Sequence, residues 1–227
     1  MKLYTTDGNF IKETDDYPTN YTGMIEDQSG NKRWYVEGIS HRDNDLPAVI
    51  YKNGNQCWYV GGKLHREGNP AEILVANGVF ANAPALNTKR WYWYNNGQSH
   101  RLDGPAIEYE DGSKYWFVNG KRHRIDGPAF ECTDGSKVWF VNGKMHRIDG
   151  PAVVFDGARK ASDRYKLPIR VSRDEQMSYT EKDIKVRSDG TKAVELWFVD
   201  DKKVTEEACK LLGDMLKLKS NKNGKIK

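Results

Sequence analysis

The chain of 227 residues carries 36 Lys and Arg against 32 Asp and Glu, so its formal charge is only +4 and does not by itself indicate a nucleic-acid partner. Apolar residues make up 37% and charged residues 30%, which is little for one thick core and suits an elongated solenoid. No apolar run is long enough to span a membrane, and the N-terminus lacks the apolar core of a signal peptide. Three irregularly spaced cysteines predict a reducing compartment, so we expect a cytoplasmic protein.

The N-terminal segment precedes the regular part of the chain. It contains the turn dipeptide Ser29-Gly30, and we interpret residues 1–33 as a capping segment that includes half a repeat. Such a cap would protect the first edge strand of a sheet from pairing with another chain.

Residues 34–157 consist of five related units. Tyr115–Ala129 reads YWFVNGKRHRIDGPA and Val138–Ala152 reads VWFVNGKMHRIDGPA, with the two tryptophans 23 residues apart. A fixed period of this length indicates a stack of repeats in which each unit buries its apolar side chains against its neighbours. Six tryptophans share one register, and an aromatic residue follows each: Trp34, Trp58, Trp93, Trp116, Trp139 and Trp197. Every histidine precedes an arginine in a second register: His41-Arg42, His65-Arg66, His100-Arg101, His123-Arg124 and His146-Arg147.

One unit is predicted to be a hairpin. Ser136–Val141, SKVWFV, is rich in β-branched and aromatic residues and favours a strand, and Asn142-Gly143 behind it is typical of a tight turn. After a loop, Ala152–Phe155 favours a second strand. The predicted fold class is therefore all-β, an elongated stack of antiparallel β-hairpin repeats in a single-sheet solenoid, followed by a C-terminal α-helix.

Two insertions interrupt the period. Residues 76–90 are rich in alanine and asparagine, and residues 158–188 are rich in charge. Because loops on a rigid scaffold commonly carry function, these insertions are the predicted contact regions.

The C-terminal part begins with a degenerate repeat. Residues 189–204 contain LWFVDDKKV, which keeps the aromatic pattern and lacks the Asn-Gly and His-Arg pairs. Residues 205–227 are predicted to form a helix with a basic tail, with Thr205 as the N-cap. We expect the helix to dock on the protein's own sheet through an apolar stripe: Ala208, Leu211, Leu212, Met215 and Leu218.

The unit WFVNGKxHRxDGPA resembles the MORN repeat over roughly residues 23–157 and again at Trp197. The shared features are an aromatic strand, a turn with Asn-Gly and a histidine in the loop. An arginine after that histidine, where the MORN repeat has glycine, makes the chain more similar to the HRxDGPA-type repeat proteins of bacteriophages and large DNA viruses. The resemblance implies a non-catalytic scaffold that binds proteins and, in some proposals, lipid, with a host protein as the partner of a viral member.

The five His-Arg pairs, here called the His-Arg ladder, allow two interpretations. In the structural one, the histidine bonds loop backbone, and the arginine stacks on an aromatic ring or pairs with Asp103, Asp126 or Asp149. In the other, the arginines face a phosphate or an acidic partner. The candidate binding residues are Arg101, Arg124, Arg147, His100, His123 and His146, to which Trp91 and Tyr92 are added because they lie outside the tryptophan register.

Metal binding by the ladder is not expected. Equivalent positions in successive hairpins are two strand spacings apart, about 9–10 Å. Ligands of one zinc ion must lie within ~4 Å of one another. The chain also lacks the nucleophile-elbow, phosphate-loop and HExxH motifs, so no cofactor and no enzymatic activity are predicted.

These observations lead to one main functional hypothesis and two alternatives. The main hypothesis is a non-enzymatic scaffold that binds another protein, which the resemblance suggests is a host defence or regulatory protein. The first alternative is a binder of an anionic ligand, namely nucleic acid, nucleotide or lipid headgroup, through the His-Arg ladder. The weakest is an enzyme acting on a small anionic substrate. Edge strands at the ends of the array also allow a homo-oligomer.

Overall fold

The structure is a computed structural model that describes residues 1–16, 18–75, 89–156, 184–186, 188 and 192–223. Most residues of the two predicted contact insertions, 76–90 and 158–188, therefore lie outside the described residues. The chain divides into two compact units, Met1–Lys121 and Arg122–Lys227.

The first unit contains only β-strands in its described part. They are β1 (Lys2–Tyr4), β2 (Phe10–Glu13), β3 (Gly23–Glu26), β4 (Lys32–Val36), β5 (Ile39–Ser40), β6 (Val49–Ile50), β7 (Gln56–Cys57), β8 (Tyr59–Val60), β9 (Lys63–Leu64), β10 (Glu72–Leu74), β11 (Arg90–Tyr92), β12 (Tyr94–Asn95), β13 (Gln98–Ser99), β14 (Ile107–Tyr109), β15 (Lys114–Tyr115) and β16 (Phe117–Val118).

Strand β17 (Lys121–Arg122) lies at the unit boundary. The second unit continues with β18 (Phe130–Glu131), β19 (Lys137–Val138), β20 (Phe140–Val141), β21 (Lys144–Met145), β22 (Val153–Asp156), β23 (Ile184–Val186), β24 (Lys192–Val199), β25 (Lys202–Val204) and helix α1 (Glu206–Asn223).

Within each unit, all described pairings of the main sheet are antiparallel. In the first unit the spatial order is β2, β1, β3, β4, β6, β7, β10, β11, β14 and β15, so hairpin follows hairpin along the sheet. In the second unit β18, β19, β22, β24 and β23 follow one another. The prediction of an all-β chain of stacked antiparallel hairpins with a C-terminal helix is confirmed.

Each regular repeat has four short strands, whereas the sequence predicted two. The predicted strand at 136–141 is divided at Trp139, which lies between β19 and β20. The Trp139 backbone N–H donates to Ala152 O at 2.8 Å, whereas its carbonyl accepts from His146 N at 3.2 Å. The tryptophan thus passes the chain from the main sheet to a small second hairpin, formed in this repeat by β20 and β21.

The predicted Asn-Gly turns close these small hairpins. Asn142 has φ 52° and Gly143 has φ 85°, the two positive values that a type I′ turn requires. In the degenerate repeat Asp200 and Asp201 take the same positions with φ 50° and 67°. The degenerate repeat therefore keeps the turn geometry with Asp201 in the position that glycine takes in the other repeats.

A row of cross-strand pairs forms the core of the second unit. Phe130 pairs with Val138, Val138 with Val153, and Val153 with Leu196. Each of the four side chains is at most 2% exposed. This packing follows from the register, because directly opposed side chains in an antiparallel sheet contact one another on one face.

Helix α1 begins as predicted but docks through a different face. Thr205 Oγ1 accepts from Ala208 N at 3.2 Å, which is an N-cap. The docked positions are Cys209, which is fully buried, and Gly213 one turn later, whereas Leu211 and Met215 are 65% and 56% exposed. Within the described residues, no helix combines the length and the apolar character needed to cross a membrane.

Candidate binding surfaces

Four arginines of the His-Arg ladder lie over the tryptophans of their own repeats. The guanidinium carbon of Arg101 is 4.2 Å from the centre of the Trp93 ring. This is a cation–π contact, and the same contact recurs at 3.7–4.0 Å in three other repeats, for Arg42 on Trp34, Arg66 on Trp58 and Arg147 on Trp139.

The same guanidinium groups donate several hydrogen bonds. Arg101 Nε donates to Asp103 at 2.9 Å, and its Nη1 donates to Pro105 O at 3.3 Å and to Glu108 at 3.0 Å. Arg124 repeats all three bonds, to Asp126, Pro128 O and Glu131. Arg147 repeats the first two, to Asp149 and Pro151 O. The side chains of Arg101, Arg124 and Arg147 are only 22–23% exposed.

The glycine of the HRxDGPA motif makes room for this arginine. A Cβ at Gly150 would lie 2.6 Å from Arg147 Cζ, and at Gly127 it would lie 3.0 Å from Arg124 Cζ. Neither glycine has a positive φ. The motif therefore requires glycine because glycine has no side chain, and not because of its backbone freedom.

The histidines connect each repeat to the next. His100 Nδ1 accepts the backbone N–H of Asn119, the first turn residue of the following hairpin, at 3.1 Å. His123 accepts from Asn142 N at 3.0 Å in the same way. An imidazole that accepts at Nδ1 is neutral and carries its proton on Nε2. His41 and His65 make the same bond at 3.3 Å, and His146 Nδ1 faces Asp200 Oδ1 at 3.2 Å.

Backbone bonds reinforce this connection. Gly143 N donates to Arg122 O at 2.8 Å, and Arg124 N donates to Phe140 O at 3.1 Å. At the end of the array, Asp201 N donates to Met145 O and Arg147 N to Phe198 O. The His-Arg ladder therefore has the contacts that its structural interpretation predicted, with the partner of the histidine supplied by the next repeat.

The two predicted contact aromatics lie side by side on β11, and both are half-buried. Lys89 Nζ lies 5.3 Å from the centre of the Trp91 ring. The ring of Tyr92 is stacked against that of Tyr94, with the centroids 6.3 Å apart. Since neighbouring strand residues point to opposite faces, the two predicted residues belong to different surfaces of the sheet.

Two large apolar side chains are highly exposed at the tips of HRxDGPA loops. Leu102 in the first unit is 79% exposed, and Ile125 in the second is 76% exposed. Both occupy the variable x position, after the arginine. No role was predicted for this position from the sequence, although an apolar residue in a polar loop was a visible signal.

Glu72 was likewise not predicted as a site residue. The first unit has a row of cross-strand neighbours equivalent to the one that forms the core of the second unit. Its members are Val49, Cys57, Glu72, Tyr92 and Ile107. Glu72 directly follows the Pro-Ala pair of its repeat, where other repeats have an apolar residue such as Phe130 or Val153. A carboxylate in this position was the signal.

Glu72 is held by neutral donors. The Cys57 thiol and the Tyr94 hydroxyl bond to its carboxylate, the thiol with Sγ 3.9 Å from Oε1. Burial raises the pKa of Glu72, although these two bonds partly oppose the rise. Burial, followed by the Glu72 charge, raises the pKa of Cys57 to about 12. Cys57 is 3% exposed and lies in β7, as predicted for a packed strand residue.

The described residues contain no group of three or more His, Cys, Asp or Glu side chains placed to hold a metal ion. In comparisons with known proteins, no family and no curated protein matches this chain.

Proposed function

We propose that this chain is a non-enzymatic repeat scaffold whose function is to bind another protein through its loops. The observation that carries the proposal is the contrast between the loop residues. Arg101 and Arg124 pair with carboxylates of their own repeats, whereas Leu102 and Ile125 at the loop tips expose most of their apolar surface. Loops on a stable scaffold commonly carry binding residues, and an apolar side chain exposed there gains stability when a partner buries it.

The resemblance to repeat proteins of bacteriophages and large DNA viruses suggests that the bound protein belongs to a host cell. A host defence or regulatory protein in the cytoplasm is therefore the partner that we propose. This part of the proposal depends on the resemblance alone.

The experiment compares partner capture by four forms of the protein, the wild type and three single variants. Leu102→Ser and Ile125→Ser remove apolar surface at the loop tips, and Val60→Ser is the matched control because Val60 is 47% exposed on a small hairpin. We expect a partner identified by cross-linking and mass spectrometry to be captured by the wild type and by V60S, but not by the loop variants. Equal capture by all four proteins would contradict the assignment of the loops.

The alternative is the binding of an anionic ligand by the His-Arg ladder. The observation that supports it is local: in each repeat the histidine next to the arginine is bonded to the following hairpin turn, as for His100 with Asn119 and His123 with Asn142. Binding of single-stranded DNA or of anionic vesicles at about 50 mM salt should then fall steeply as salt increases. We expect no such binding, since the guanidinium groups already have carboxylate and carbonyl partners.

A further inference from the structure

The first unit carries a half-buried carboxylate where a repeat normally places an apolar side chain. Glu72 stands between Cys57 and Tyr92 in the central row of the sheet. The corresponding row in the second unit is entirely apolar and buried. Glu72 retains part of its solvent contact. On one side its neighbour Cys57 is buried, whereas Tyr92 on the other side is half-buried.

The donors that hold Glu72 do not neutralise it. The Tyr94 hydroxyl and the Cys57 thiol are uncharged, and among the described residues no lysine or arginine pairs with this carboxylate. Two arginines of the same sheet have other partners. Arg33 on β4 pairs with Asp27 at 3.3 Å and bonds the Tyr51 side chain, and the Arg90 guanidinium on β11 lies 5.6 Å from the centre of the Tyr109 ring. A desolvated carboxylate without a cation is a costly arrangement that a bound cation would relieve.

Tyrosine side chains surround this carboxylate. Tyr92 and Tyr94 stack with an interplanar angle of 18° and lie on the β11–β12 side of Glu72. Tyr51 directly follows β6, and Tyr59 lies on β8. Burial chiefly raises the pKa of both, Cys57 and then Glu72 add to the rise, and Arg33 opposes it. The faces of such rings attract a cation, and they do so most strongly where water is partly excluded.

We propose that Glu72 and the tyrosines around it form a binding site for an alkylammonium group. An ammonium would form a charge-assisted hydrogen bond with the Glu72 carboxylate while its carbon atoms contact the rings of Tyr92 and Tyr94. A single carboxylate offers too few oxygen ligands for calcium, which requires six to eight. The site does not depend on the loop tips, so it stands independently of the proposed function.

The test is a titration of the full-length protein with ethylammonium chloride at constant ionic strength. Amide chemical shifts of Cys57, Glu72 and Tyr92 are followed by NMR. We expect saturable shifts at these three positions, with affinity at least tenfold weaker in Glu72→Gln. Glu108→Gln is the matched control, because Glu108 lies on β14, beyond β11, and is paired with Arg101. The control should bind as the wild type does.

A second measurement does not depend on any variant. Saturating ethylammonium should lower the pKa of Glu72 in the wild-type protein, because a bound cation favours the carboxylate. An unchanged pKa of Glu72 in the wild type would overturn the site. So would amide chemical-shift changes on ethylammonium titration that are equal in the wild type and in E72Q. Repeating the titration with N-acetyl-lysine methylamide identifies the source of the amine. Binding of this probe at least as tightly as ethylammonium assigns the site to a lysine side chain, and weaker binding assigns it to a free amine.

Discussion

At the residue scale, the arginine of each HRxDGPA motif is the principal loop-forming side chain. Arg147 stacks on Trp139, bonds Asp149 and donates to the carbonyl of Pro151. Lysine would keep the charge and lose the planar stack and the fixed donor geometry. We expect Arg147→Lys to lower the free energy of unfolding by about 1–3 kcal/mol, measured by urea denaturation. The exposed Lys144→Arg is the control, and full stability of R147K would contradict this role.

The glycine of the motif provides a second test. Glycine-to-alanine substitutions at compatible positions usually stabilise a protein by about 0.4–1 kcal/mol. At Gly150 the new Cβ would displace the Arg147 guanidinium, so we expect Gly150→Ala to destabilise the protein by about 1–2 kcal/mol. In an R147A background the same change should cost much less. A strictly additive double-mutant cycle would show that the two residues do not interact.

The raised pKa of Glu72 predicts a pH-dependent stability. An acid whose pKa is higher in the folded state favours folding while it is protonated, and this contribution is lost as pH rises from the unfolded value of about 4.3 through the folded value. We therefore expect Glu72→Gln to be more stable than the wild type at pH 7.5 and the difference to vanish near pH 4. Thermal melts at both pH values measure it. Equal melting temperatures at pH 7.5 would mean that the carboxylate carries no folding cost.

At the element scale, helix α1 docks by close backbone approach rather than by its large apolar side chains. A Cβ on Gly213 would lie 3.1 Å from the carbonyl oxygen of Ile148, and Cys209 Sγ donates to Arg147 O at 3.1 Å beneath the helix. We expect Gly213→Leu to undock the helix and to increase the labelling rate of Cys209 at least tenfold, measured in a Cys132→Ser background. Asp214→Leu, at an exposed position, should leave the labelling slow. Unchanged labelling in G213L would contradict the docking.

Local sequence chemistry predicted the elements whose causes are local. The Asn-Gly turns, the Thr205 cap and the repeat period all depend on residues that are close together in the sequence. The break at Trp139 could not be predicted, because its cause is a pair of backbone bonds to two different sheets. The docked face of α1 was missed for a similar reason, since a stripe of leucines gives no information on the loop carbonyl that selects Gly213. The partner of each histidine lies in the next repeat, outside the reach of a local pattern.

At the scale of the whole molecule, stability should be local to neighbouring repeats. His65 accepts the Asn96 amide of the next hairpin, and Gly97 N donates to Leu64 O. We expect His65→Ala to increase amide exchange around residues 94–99 while peptides covering β3 and β4 stay protected, as measured by hydrogen-exchange mass spectrometry. A uniform loss of protection through the first unit would contradict nearest-neighbour coupling.

Each small hairpin donates backbone hydrogen bonds to carbonyl oxygens of the preceding hairpin. It presents the same carbonyl acceptors to the hairpin that follows it. A unit copied within the gene would arrive with all its neighbour contacts already encoded, and no new side chain would have to be selected. Chains of this kind can therefore grow or shrink by whole units during evolution, and we expect relatives of this protein to differ in length by multiples of one period.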